Sequence, residues 1–194
     1  MSENSDNFYS EDGEEIEIVS LIDRDERELL CYIEEYIEAE DDEYLVLRPV
    51  DIPVEIFVSE PDSEQISIVE DEAIIQEIYP IAQAVLAENN LSLKPTPFIL
   101  TVEGELPPPD EENILTLVIE EEDANPMQPP IEPEELQLVA YFHHKDQEYC
   151  ICSPLDPLIF FGRFNQRGNA ELLSEEEYKK VQPLLKELMS NQME

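Results

Sequence analysis

The chain has 194 residues, with 49 Asp and Glu against 10 Lys and Arg and a formal net charge of −39. A surface of that sign repels phosphate backbones and lacks the basic stripe that direct nucleic-acid binding needs, so cations or a basic protein face are the natural partners. The 42% hydrophobic content is enough to fold most of the chain, and no apolar run approaches the roughly 20 residues of a membrane-spanning helix.

The opening "MSENSDNFYSEDGEE" has neither a basic nor an apolar targeting region, and residues 1–13 are expected to be a disordered acidic tail. Cys31, Cys150 and Cys152 form no even disulfide framework, which fits a reducing, cytoplasmic setting. "EIEIVSLID" at 15–23 alternates apolar and polar residues and predicts a strand that enters a turn at "DRDERE". "ELLCYIEEYIEAE" has helical spacing at Leu29, Leu30, Ile33 and Ile37, yet it aligns with "LQLVAYFHH" further on, and that alignment decides for a strand. A hairpin with its tip at "EAEDDE" then leads into "EYLVLRPV", which Pro49 ends because proline cannot donate to a ladder. "VEIFV" and "QISIV" are two more strands. Asp71 or Glu70 opens a helix whose expected buried stripe is Ile74, Ile75, Ile78, Ala82 and Val85, with Pro80 implying a kink.

At an offset of 105 the same order returns. Glu43, Tyr44, Pro49 and Asp51 fall on Glu148, Tyr149, Pro154 and Asp156, and after a two-residue gap the terminal helices align at an offset of 103, with Pro80 on Pro183. Between the copies, "FILTVEGEL" and "ILTLVIEE" predict an inserted hairpin, followed by a Pro-rich and acidic loop at about 121–135. The expected fold class is α+β: two related small antiparallel β-sheet units, residues 14–90 and 91–194, each covered by its own terminal helix.

The pattern of an acidic turn, a strand, an acidic tip and then Glu-Tyr-apolar-apolar-Leu-x-Pro-x-Asp over about 16–88 resembles the small acidic YrzB-like family of bacterial proteins of unknown function. With its different second half, the whole chain resembles cyanobacterial and plastid two-part proteins of unknown function. The resemblance implies a fold unit and no activity.

Candidate chemistry is sparse. A four-residue tip at 145–148 would set His143 opposite Cys150 and on one face with Cys152, a possible zinc, soft-cation or redox group; the competing reading makes both cysteines core, in the places of Leu45 and Leu47. "DRDERELLCYIE" lacks the glycine of a calcium-binding loop, and Asp51 and Asp156 read as turn formers. Four glycines make no phosphate loop, no Ser-His-Asp set stands out, and neither an enzyme nor a cofactor is expected. Lys179, Lys180 and Lys186 follow Glu175 to Glu177 and read as solvated helix pairs. The expected function is a non-enzymatic acidic adaptor or assembly factor that presents Glu38, Glu40, Asp41, Asp42 and Glu43 to a basic protein or complex. The alternatives are a metal or redox module at His143, Cys150 and Cys152, and a decoy that mimics nucleic acid.

Overall fold

The structure is a computed structural model, and it describes residues 8–9, 15–39, 41–117 and 133–191. The first copy of the repeat forms β3 (Ile18–Ile22), β4 (Glu28–Ala39), β5 (Asp42–Pro49), β6 (Ile52–Ser59), β7 (Ile66–Ile68) and α1 (Glu72–Glu88), preceded by a two-residue pair, β1 (Phe8–Tyr9) and β2 (Glu15–Ile16). The second forms β11 (Glu134–His144), β12 (Gln147–Pro154), β13 (Phe160–Phe164), β14 (Ala170–Leu172) and α2 (Glu175–Asn191). Between them lie β8 (Ser92–Lys94), β9 (Leu100–Glu103), a short 3-10 turn and β10 (Ile114–Leu117).

Two corrections concern the segments outside the repeat proper. The expected disordered tail 1–13 is paired where it is described, Phe8 opposite Ile16 and Tyr9 opposite Glu15; residues 1–7 and 10–13 lie outside the described residues. The expected inserted hairpin is not one: β9 pairs with β6 and β8, while β10 pairs with β11. Both segments alternate as strands should, but alternation names a face and not a neighbour. Of the expected loop 121–135, residues 121–132 lie outside the described residues, Pro133 is exposed and Glu134 already begins β11.

The helices are capped by their own sequence. Asp71 accepts from the amide of Ala73 at 2.9 Å at the start of α1. At α2, Ser174 accepts from the Glu177 amide and the Glu177 carboxylate accepts from the Ser174 amide, a reciprocal pair. The fully buried residues of α1 are Ile78, Ala82 and Leu86; Ile74, expected inside, is exposed, and Leu86 takes the last place. Pro80 stands on the exposed face of the helix interior, as does Gln76, to whose carbonyl Pro80 has no N–H to donate.

The compact units do not follow the two copies of the repeat. One unit is Met1–Val50 with Leu158–Glu194; the other is Asp51–Pro157. In the first the strand order is β14-β13-β5-β4-β3, and in the second it is β10-β11-β12-β6, with β7 and β9 on the far side of β6 and β8 on β9. The boundaries 14–90 and 91–194 are therefore corrected: each copy keeps its opening hairpin and gives its last two strands and its helix to the other unit. The chain crosses at Pro49-Val50-Asp51 and at Pro154-Leu155-Asp156-Pro157, where prolines without an N–H end β5 and β12.

Register shows the exchange to be systematic. Leu45, Val46 and Leu47 of β5 face Gly162, Phe161 and Phe160 of β13. Cys150, Ile151 and Cys152 of β12 face Phe57, Ile56 and Glu55 of β6, the same pairing 105 residues on. A bulge follows Ile33 in β4 and recurs after Leu138 in β11.

In the first unit the sheet curls until β14 approaches β3, a nearly closed barrel filled by Leu21, Leu29, Cys31, Leu45, Leu47 and Ala170. A Cβ on Gly162 would lie 2.6 Å from the Glu171 carbonyl oxygen, so only glycine lets β13 and β14 come this close. Val181 of α2 packs outside that sheet on Ile37 and Tyr44. In the second unit Phe57 occupies the matching position and packs with Leu136, Cys150 and Cys152. The opposite face of that sheet packs on Ile78, Ala82 and Leu86 of α1 and is completed by Leu91, Leu93 and Val102. No helix among the described residues is long and apolar enough to cross a membrane.

Candidate functional site

The acidic tip is built by β4 and β5. Ala39 pairs with Asp42 and Glu38 with Glu43, while Asp41 holds a positive φ of 79° in the turn; Glu40 lies outside the described residues. Direct cross-strand partners stand with Cβ atoms about 5 Å apart, and like charges so placed are destabilising. Glu38, Asp41, Asp42 and Glu43 are all exposed, and among the described residues none has a cationic side chain against it. Two residues inward, the Tyr36 hydroxyl donates to Glu17. Burial, that bond and the charges of Glu17 and Glu43 push the Tyr36 phenol up to about 12.

The corresponding tip of the second unit sets histidines and a lysine against its carboxylates. The turn is the two residues Lys145 and Asp146, both with positive φ, rather than the expected four. His143 therefore pairs with Glu148, ring nitrogen to carboxylate 3.2 Å, and His144 lies 2.9 Å from Glu77 of α1. Lys145 also reaches Glu77, and the bonds from Lys145 and His144 hold its carboxyl below the usual range.

That register corrects the proposed His143, Cys150 and Cys152 cluster. Tyr141, and not His143, lies opposite Cys150, and Leu138 lies opposite Cys152. The two cysteines are side by side, sulfur to sulfur 3.9 Å, in the apolar cluster around Phe57, while His143 is exposed at the hairpin end. The Cys152 thiol donates to Cys150, which lowers the Cys150 thiol and, with burial, raises that of Cys152. Among the described residues no group of three His, Cys, Asp or Glu is placed to hold a metal ion.

Asp51, expected to bond its own turn, instead accepts from Lys94 at 3.0 Å, and Lys94 also meets Glu103 at 2.9 Å; these carboxylates raise the Lys94 ammonium. Asp156 is exposed. Glu177, expected to pair along its own helix, takes Arg163 of β13 at 2.9 Å. Glu55, facing Cys152, has its carboxyl raised by burial and by the neighbouring Glu134.

Sequence reasoning missed one feature altogether. In the first unit, Ile159, Phe160, Phe161, Leu173, Ser174 and Tyr178 line a cleft of about 550 Å³ beside the start of α2. The signal available was the alignment of the two copies, in which β8 and β9 follow the first helix and no described segment answers to them after the second.

No curated protein and no solved structure matches the chain. Residues 90–192 match the family described as a protein of unknown function (DUF3727). That stretch begins just after α1 and runs through α2, so it supplies part of each compact unit and the whole of neither. By a match over more than half its length, the chain belongs to the DUF3727 family.

Proposed function

We propose that the protein is a non-enzymatic acidic interaction module, an adaptor or assembly factor, whose β4–β5 tip captures a basic face of another protein or complex. The observation that carries this reading is the direct opposition of Glu38 and Glu43, unrelieved where the other unit places His143 against Glu148. A like-charge pair of this kind costs a few tenths to about 1 kcal/mol, which a cationic partner returns on binding. The surrounding charge steers such a partner and makes capture fast and sensitive to salt. All three cysteines are free, which is in keeping with action in a reducing compartment such as the cytoplasm.

A lysine-rich probe peptide titrated onto the full chain tests the reading. The affinity is expected to fall at least fivefold from low to high salt, and to fall by a similar factor at low salt in the E38Q/E43Q double variant. A control, D62N/E64Q, removes two exposed acids from the turn before β7 and leaves the tip intact. Equal losses in the control and the tip variant would show that only bulk charge matters and would sink the proposal.

A further inference from the structure

The two units share their strands and register but differ at one edge. In the second unit, Ile52, Pro53 and Val54 at the start of β6 pair with Val102, Thr101 and Leu100 of β9, and β8 extends that sheet over α1. Leu91, Leu93 and Val102 thereby seal the space between α1 and the sheet, leaving Val54 1% and Ile56 4% exposed. Among the described residues the first unit has no such pair of strands. Leu158 and Ile159, the counterparts of Pro53 and Val54, belong to no strand among the described residues. Ile159 and Phe161 are half-buried where Val54 and Ile56 are sealed, and Tyr178 of α2, at the place of Ile75, is 40% exposed with its ring 5.9 Å from that of Phe161. The cleft of about 550 Å³ lies where the other unit carries its extra strands.

We propose that this cleft is a docking groove for an extended segment of a partner protein that adds as a strand along Leu158 and Ile159 and seats alternate leucine or valine side chains against Phe161 and Tyr178. The molecule holds its own example of the occupant. Strand β9 pairs antiparallel with the equivalent edge and turns Val102 and Leu100 to the same core, with Leu93 of β8 beside them. Strand addition of this kind draws affinity from main-chain hydrogen bonds and selectivity from side chains two residues apart. The groove is lined mainly by apolar side chains, with Ser174, Glu175 and Lys179 the polar exceptions, and lies apart in sequence from the tip residues 38–43, so it does not depend on the charge-driven reading.

The probe is a fluorescent synthetic peptide with the sequence of residues 90–104, NLSLKPTPFILTVEG, titrated onto the full chain. Saturable 1:1 binding is expected, weakened tenfold or more by Y178E and by I159D and weakened less by salt than capture at the acidic tip, because most of the contacts are apolar. Tyr178 is exposed, so Y178E is expected to keep the wild-type circular dichroism and to read binding alone. A peptide whose Leu93, Leu100 and Val102 are replaced by Asp should not bind. Absence of saturable binding to the wild type, or equal binding to both variants, overturns the proposal. So does a wild-type dimer that Y178E dissociates, since a second copy would then be the occupant.

Discussion

The interiors of the two units fill the same space in opposite ways. In the first, Leu45 of β5 faces Gly162 of β13; in the second, Cys150 of β12 faces Phe57 of β6. A large residue on one strand meets a small one on its neighbour in both cases, and the assignment is reversed. Volume is thus held roughly constant across the exchanged strands while the shape changes: glycine lets β14 come in close, and Phe57 fills the second unit from within. The lesson for Cys-Ile-Cys is that its cysteines are small because Phe57 is large, so their chemistry need not be what placed them.

Five changes break or sharpen this comparison. The largest effect is expected from separating the copies. Residues 91–194 alone would leave β12 without β6 and β13 without β5, and should give an unfolded monomer by circular dichroism and amide dispersion; a folded monomer would refute the exchange. Next, Phe57→Ala should cost about 3–5 kcal/mol in denaturant unfolding, as the fully buried ring that packs with Leu136, Cys150 and Cys152 is removed. Gly162→Ala, its counterpart, should cost about 1–3 kcal/mol for the opposite reason, since the new methyl meets the Glu171 carbonyl. A stabilising outcome there would mean that β13 and β14 are not held so close. At the tips the signs should differ: Glu38→Gln should raise stability by about 0.2–1 kcal/mol, whereas His143→Gln, which breaks an exposed contact with Glu148, should change it by no more than that and downward.

Acidity provides a smaller test. Glu55 has a raised pKa in the folded chain, so its contribution is full below the unfolded carboxyl range and is lost as pH rises through the folded value. Glu55→Gln should therefore raise the urea midpoint slightly at neutral pH and leave it unchanged in acid. An equal gain at both pH values would mean that packing, not ionisation, is responsible.

Much of this was legible in the chain. The repeat settled β4 as a strand against the helical spacing of Leu29, Leu30, Ile33 and Ile37, and it located both proline-bearing helices. What it could not reveal was pairing. Val46 and Ile151 present the same pattern whichever copy supplies the neighbouring strand, because alternation encodes which side is buried and not what lies alongside. The turn at Lys145-Asp146 carries no Asn-Gly or Asp-Gly signal, so its two-residue length, and with it the displacement of His143 from Cys150, was hidden. Short β8 was missed because three residues are too few to show a period.

The exchange of strands also sets a timetable for synthesis. Leu47 leaves the ribosome more than a hundred residues before its partner Phe160, a wait on the order of 5–20 s at usual elongation rates. Until then β5 has a bare edge and no lid over its apolar side, the state in which nascent chains stick to one another. Dense carboxylates on the first half of the chain, which emerges earliest and waits longest, would keep neighbouring nascent chains apart during that interval.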